Sequence, residues 1–187
     1  FVTVSGDFAV TKKSNQSVYV SSAVDANTLV TANLLAIGMA GVSAFVGYGS
    51  TGLNLTGVDL AIALWSEVGG AGRQWTSVMG SIGSAAFVGV AGLALSVSKM
   101  TLEINKSAAD GTLVDYVAGA GETSVSALVV TVGPGQTVTF ALDDADGEYL
   151  QVAGTAEMDL FGFVTVSGDF AVTKKSNQSV YVSSAVD

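Results

Sequence analysis

The first twenty-five residues of the chain, FVTVSGDFAVTKKSNQSVYVSSAVD, return letter for letter as its last twenty-five. The copies Phe1–Asp25 and Phe163–Asp187 are offset by 162 residues. Most surface substitutions cost little free energy, so related segments normally diverge there, and exact identity indicates a recent duplication. We interpret 1–162 as one complete repeat unit and 163–187 as the start of the next copy in a tandem array.

The alternative origin of the second copy is engineering, with the segment duplicated to supply a missing strand. Both origins give the same physical expectation. The repeated stretch is a packing element that one unit lends to its neighbour.

Apolar and polar residues alternate along most of the chain, which is the period of a β-strand. From Leu150 to Val172 the even positions are apolar or glycine and the odd positions are mostly polar. Glycines at 154, 162 and 168 are the places where such a run could bend or turn. The alternation passes through residue 162 without a linker, which predicts that the strand ending one unit begins the next.

A weaker internal repeat relates the segments that begin at Gly52 and Gly92, offset by 40 residues. In both segments the apolar positions change from odd to even numbers, near Gly57 in the first and near Ser98 in the second. A slip of one residue in a period of two is the signature of a β-bulge, or of a strand that crosses from one sheet face to another. We therefore predict a bend in the strand at each of these two places.

Short segments rich in glycine, aspartate and serine separate the long runs and predict turns. These segments are KKSNQS (12–17), GYGSTG (47–52), VGGAGR (68–73), SAADGT (107–112), AGAGET (118–123), VGPGQT (132–137) and DDADGE (143–148). The predicted fold is all-β, a meander of long antiparallel strands with roughly nine or ten strands per unit. We expect this meander to be closed or stacked into a barrel-, tube- or solenoid-like repeat that continues into the next copy.

Two uncharged runs, 26–58 and 74–98, are long enough to cross a bilayer as helices. Both carry glycine-rich turns and the period-two pattern, and neither has flanking basic residues that would anchor a membrane helix. The pattern therefore favours strands, and membrane insertion is not expected.

The composition removes several classes of function. There is no cysteine and no histidine, so disulfides, cysteine-ligated zinc, thiol nucleophiles and imidazole bases are excluded. The net charge of −9 argues against nucleic acid as a partner. The carboxylates of Asp59, Glu103, Asp115 and Glu157 fall on separate strands, so the sequence offers no acid–base pair, and no enzyme is predicted.

Four acids crowd the DDADGE segment: Asp143, Asp144, Asp146 and Glu148. Alternating acids followed by glycine resemble half of a calcium-binding loop, although no acid occupies the final position of the twelve-residue pattern. Calcium held between these acids is one interpretation, and a solvated turn capping a hairpin is the other. No further cofactor is predicted.

Trp65 and Trp75 flank the glycine-rich segment 68–73. Two tryptophans across a hairpin can form a platform on which a sugar ring stacks. The alternative is that they pack against each other at the edge of the core.

Three stretches resemble giant tandem-repeat exported proteins of bacteria, the RTX-adhesin-like and LEPR-XLL-type giants. They are AADGTLVDYVA (108–118), GEYLQVAGTAEMDLFGFVTVSGDFAV (147–172) and GLNLTGVDLAIALWS (52–66). The resemblance implies export, an extracellular or bacterial cell-surface location, and a load-bearing or adhesive role. The glycine–aspartate nonapeptides of RTX calcium repeats are missing from this sequence.

The function predicted from these features is that of a structural tandem-repeat unit in a giant surface filament or adhesin-like protein. Its partners would be adjacent copies of the same repeat, together with neighbouring filaments or cells. The alternatives are a glycan- or cell-binding adhesin module acting through Trp65 and Trp75, and a barrel that holds an apolar ligand.

Overall fold

The computed structural model describes residues 1–22, 25–118 and 125–176, and β-strands are the dominant secondary structure of these parts. The strands are β1 (Val2–Ser22), β2 (Asp25–Tyr48), β3 (Thr51–Glu67), β4 (Gln74–Val88), β5 (Leu93–Lys106), β6 (Leu113–Val114), β7 (Val129–Gly133), β8 (Gln136–Thr139), β9 (Tyr149–Leu160) and β10 (Val164–Lys175). One 3-10 turn spans Asp144–Asp146. The predicted all-β fold is confirmed. None of the described segments forms a helix long and apolar enough to cross a membrane.

Eight strands form one antiparallel sheet in the order β10-β9-β5-β4-β3-β2-β1-β6. Strands β1 to β5 are a meander, as predicted, and the β9–β10 hairpin is added beside β5. The sheet is open, because its edge strands β10 and β6 do not pair with each other within the described ranges. The predicted closure into a barrel or tube is therefore not found. After β5 the chain crosses one face of the sheet, and the edge strands β10 and β6 stay at opposite ends of the strand order.

The boundary between the two copies is a tight turn. Leu160 pairs with Val164, so residues 161–163 form a three-residue loop, in which Phe161 and Gly162 have positive φ, of 54° and 71°. The side chain of Asp159 accepts a hydrogen bond of 2.8 Å from the Gly162 backbone N–H. The prediction that one strand runs through residue 162 is thus wrong. The alternation continues there because a hairpin keeps the even positions of both arms on one face.

Each of the two predicted bends coincides with a β-bulge. The register between β5 and β9 shifts between Ser98 and Thr101, and Lys99 has a positive φ of 51°. On β3, Gly57 has a φ of 64°, next to a shift in the register with β2.

The predicted turns at 12–17, 132–137 and 118–123 have three different outcomes. The 12–17 segment is not a turn, because β1 continues through it with a bulge between Lys13 and Gln16. The 132–137 segment is the turn of the β7–β8 hairpin, as predicted. Most of the 118–123 segment lies outside the described residues.

One face of the sheet is apolar across its seven long strands. Residues that pair directly across an antiparallel ladder share a face, so rows can be followed from β1 to β10. The first row is Val2, Val46, Leu53, Phe87, Leu95, Met158 and Val166. A lower row is Phe8, Met39, Leu60, Gly80, Leu102, Val152 and Val172. The rows that begin at Val4 and Val10 are alike except for Lys174, and these four rows are called the apolar face below.

The opposite face is polar in its upper half and covered in its lower half. A typical upper row is Thr3, Phe45, Asn54, Ala86, Ser96, Glu157 and Ser167. The lower half lies under residues 107–118 and 125–148, called the crossover segment, which carries β6, β7 and β8. The core lies between this segment and the sheet, so only one end of one face is buried by the chain itself.

Small residues on β2 and β3 let the crossover segment approach closely. Ala36, Ala61 and Ala63 are buried beneath it. A Cβ on Gly38 would lie 2.2 Å from the backbone oxygen of Thr131 in β7, so only glycine fits there. This close packing fixes the β7–β8 hairpin over the centre of β2.

Candidate functional site: the repeated edge strand and the acid cluster

The repeated sequence forms the two outermost long strands of the sheet. Val164–Lys175 (β10) is identical to Val2–Lys13 of β1. β10 pairs with β9, and β1 pairs with β2. Among the described strands none pairs with the other edge of β10.

The two copies have the same orientation in the sheet. Six antiparallel steps separate them, so β1 and β10 run in the same direction. Phe8 shares a face with Met39, Leu60, Gly80, Leu102 and Val152, and the equivalent Phe170 lies on that same face, opposite Gly154. Because β1 and β10 have the same direction and present the same side chains to the same face, they differ only in which edge is paired. β10 pairs with β9 along the edge that β1 leaves largely open, and β1 pairs with β2 along the edge that β10 leaves open.

The strands β9 and β6 could also pair with the same edge of one repeated strand, because they cover different parts of its length. β9 covers Val164–Lys175, which corresponds to residues 2–13 of β1. On its outer side β1 pairs with β6 only at Val20 and Ser21. A strand of this sequence therefore has room for a β9 and a β6 on one side and a complete β2 on the other.

The space around one glycine of the repeated strand depends on whether β2 lies beside it. In β1, a Cβ on Gly6 would lie 2.7 Å from the Cα of Val42 in β2, and Gly6 has a φ of 147°. In β10, the equivalent Gly168 has no atom within 4 Å of the same position among the described residues. The same sequence position is thus crowded in one copy and open in the other.

Three carboxylates converge at the end of the crossover segment. One oxygen atom each from Asp115, Asp143 and Asp144 lies within 4.8 Å of the others, and Asp115 is fully buried. The Ser21 hydroxyl donates a hydrogen bond to Oδ2 of Asp144, and Asn27 donates one of 3.1 Å to Asp115. Oδ1 of Asp144 is buried with no hydrogen-bond partner in the described structure. Carboxylate oxygens are the ligands that calcium prefers, so these residues fit such an ion.

Only two of the four predicted calcium ligands belong to this cluster. Asp146 forms an ion pair of 3.1 Å with Lys175. Glu148 accepts hydrogen bonds from the backbone and hydroxyl of Ser107, which lower the pKa of its carboxyl. Asp115 was not among the predicted ligands because it lies 28 residues before Asp143. The available signal was an acid inside the apolar run LVDYVA.

The two tryptophans pack in the core. Trp65 and Trp75 are direct cross-strand partners, and their exposed fractions are 5% and 1%. The Trp65 indole donates a hydrogen bond to the Tyr116 hydroxyl at 2.9 Å, and the Trp75 indole donates to Thr112 at 3.1 Å. Burial leaves little ring surface for a sugar to stack on. Glycan binding by this pair stays a prediction.

An ion pair closes the loop between β3 and β4. Arg73 and Glu67 are joined at 2.7 Å, and the Glu67 side chain is 7% exposed. The hydrogen bond from the Arg73 guanidinium lowers the pKa of Glu67 from 4.5 to about 2. Arg73 also reaches Asp110 of the crossover segment at 3.5 Å. This loop therefore helps to hold the crossover segment against the sheet.

The Glu67 pKa predicts a specific loss of stability in acid. A carboxyl with a lowered folded pKa stabilises the fold above pH 4.5 and loses this contribution as the pH falls through about 2. Because the pair lies at a loop near water, we expect the contribution to be about 1–2 kcal/mol. Urea unfolding of Glu67→Gln should show a smaller stability decrease than the wild type between these pH values. An unchanged decrease would contradict the assignment, and Glu157→Gln, at an exposed acid on the polar face, is the control.

Comparison with known proteins gives no match: no family, no curated protein and no solved structure is similar to this chain.

Proposed function

We propose that this chain is a structural repeat unit of a giant extracellular or cell-surface protein, joined to its neighbours through shared β-strands into a filament. The role is load-bearing or adhesive and not enzymatic. The observation that carries the proposal is the complementary placement of β1 and β10, which have one sequence, one direction and one facing but opposite open edges.

In this arrangement β10 is the first strand of the following unit. It would pair with β9 of its own chain and with the β2 of the next period, as β1 pairs with β2 here. Each period then adds six long strands to a continuous antiparallel sheet. The open edges, which would otherwise promote uncontrolled association, are paired.

The glycine pair provides the test. In the present chain, Gly168→Ala should leave the unfolding midpoint almost unchanged, because the position is open. In a chain extended to two complete periods, the same substitution should destabilise by about 1–3 kcal/mol, because the new β2 would bring a valine against it as Val42 lies against Gly6. Equal effects in both chains would contradict strand sharing. Gly6→Ala is the matched positive control.

We also propose that calcium stabilises the unit by binding Asp115, Asp143 and Asp144. Extracellular calcium modules bind with a Kd of roughly 0.1–1 mM. At about 10 mM calcium this gives roughly 1.5–2.5 kcal/mol of added stability, measurable by thermal unfolding. Asp143→Asn should remove the effect. Without calcium it should unfold at the same temperature or higher, because it relieves repulsion between carboxylates. Asp146→Asn, outside the cluster, should keep the calcium effect, and the absence of any effect in the wild type would refute the site.

A further inference from the structure

The apolar face is larger than a single chain can leave exposed to water. Seven strands at about 4.8 Å spacing and nine residues at about 3.3 Å rise give roughly 30 Å by 30 Å, or about 850 Å². The largest apolar patch on an ordinary monomer is about 300–600 Å². No described segment lies on this face. Two leucines of its first row are exposed, by 42% for Leu53 and 48% for Leu95, and the side chains pack more closely toward the fourth row, where Val78 is 8% exposed. An apolar patch of this size is typical of an interaction surface.

The charges of the sheet are arranged around this face. The acids of the long strands, including Asp59, Glu103 and Glu157, lie on the opposite face of the sheet, together with the residues with which they pair directly. Among the described residues that pair on this side of the sheet, basic side chains lie near one border, at Lys12, Lys106 and Lys174. Two chains with a net charge of −9 can therefore approach through their apolar faces without opposing carboxylates. An anionic lipid surface would instead be repelled by the net charge.

We propose that the apolar face is covered by the identical face of a second copy, so that two sheets form a two-layer sandwich. A standard stable interface takes about 800 Å² from each partner, which is close to the area available here. Flat faces of aliphatic side chains pack as aligned sheets about 10 Å apart. We place the two-fold axis between the two sheets and perpendicular to the strands. The lysine border of one copy then lies beyond the first row of the other copy, so the lysines of the two copies stay apart. The edges used for strand sharing stay open, so the two contacts are independent.

The test is sedimentation of the chain together with two matched double variants. Leu53→Lys with Leu95→Lys places charges on exposed positions of the apolar face. Ser81→Lys with Thr101→Lys places the same charges on exposed positions of the polar face of the same strands. We expect a dimer for the wild type and the polar-face variant, and a monomer with unchanged circular dichroism for the apolar-face variant. A monomeric wild type at about 100 μM, or a dimer insensitive to the apolar-face lysines, would overturn the proposal.

A second measurement does not depend on lysine variants that fold. The chain has no cysteine, so one spin label can be attached at Leu102→Cys, on the apolar face, or at Thr101→Cys, the adjacent residue on the polar face. Labels on the apolar face should lie much closer across the dimer than labels on the polar face, because the sheets are about 10 Å apart. Equal distances would refute face-to-face packing.

Two further outcomes separate this proposal from its rivals. Association that is lost when residues 163–187 are removed, but not when the apolar face is charged, would support strand sharing and overturn the sandwich. A wild type that floats with neutral phosphatidylcholine vesicles and stays monomeric without them would make lipid the occupant and likewise overturn it.

Discussion

Replacing Trp75 by alanine is expected to lower the free energy of unfolding by about 3–5 kcal/mol, as truncation of a buried tryptophan generally does. The Trp75 ring is 1% exposed, and its indole N–H donates to both the backbone oxygen and the hydroxyl of Thr112. The substitution would leave a cavity between β4 and the crossover segment and would orphan the Thr112 acceptors. Chemical denaturation followed by circular dichroism measures the loss.

A matched substitution separates core packing from aromatic content. Tyr48 is 82% exposed at the β2–β3 turn, so Tyr48→Ala should cost less than about 1 kcal/mol. Tyr116→Phe should fall between the two, because it removes the hydroxyl that accepts from Trp65 and donates to Ser77. A Trp75→Ala chain as stable as the wild type would mean that the crossover segment is not anchored there.

Strand content and local irregularities could be predicted because both depend on short-range patterns. The period of two follows from the alternation of side chains in any strand, and the phase slips near Gly57 and Ser98 give bulges since one extra residue exchanges the two faces. Residues that favour turns do not indicate whether the strand continues with a bulge or reverses direction. The 12–17 segment has turn residues but continues as strand, with a positive φ of 52° at Asn15 absorbing the bulge.

The hairpin at residue 162 could not be predicted from the alternation alone. The loop 161–163 has three residues, so Leu160 pairs with Val164 and the parity of the apolar positions is unchanged. One long strand and two paired strands therefore have the same pattern. The distinguishing feature is the pair of positive φ angles at Phe161 and Gly162, and phenylalanine rarely adopts this conformation. Aspartate at 159, which caps the turn, was the weaker available signal.

The acid cluster was only half predictable because its members meet through the crossover. Asp143 and Asp144 are neighbours in sequence, whereas Asp115 joins them since β6 pairs with the far edge strand β1. The sheet order places β6 seven positions from β10, although the crossover segment starts at β5. Such a path depends on packing between distant residues and leaves no periodic trace in the sequence.

Removing residues 163–187 is expected to lower the free energy of unfolding by about 2–6 kcal/mol or to make the chain polymerise. β10 pairs with β9 at 12 positions, and each cross-strand pair contributes about 0.2–1 kcal/mol. The shortened chain would present β9 as a bare edge beside an apolar face, and such an edge accepts strands from other molecules. The matched control is removal of 177–187 alone, which leaves β10 intact and separates its contribution from that of the last eleven residues.

A synthetic peptide of residues 163–176 gives the decisive addition to this experiment. If the repeated strand is a lent packing element, the peptide should bind the shortened chain and restore most of the lost unfolding midpoint, since it supplies the β10 ladder in full. A scrambled peptide of the same composition should not. If the shortened chain remained monomeric and melted at the wild-type temperature, β10 would contribute nothing to the unit. The placement of two identical strands at opposite edges would then have no role in joining one copy to the next.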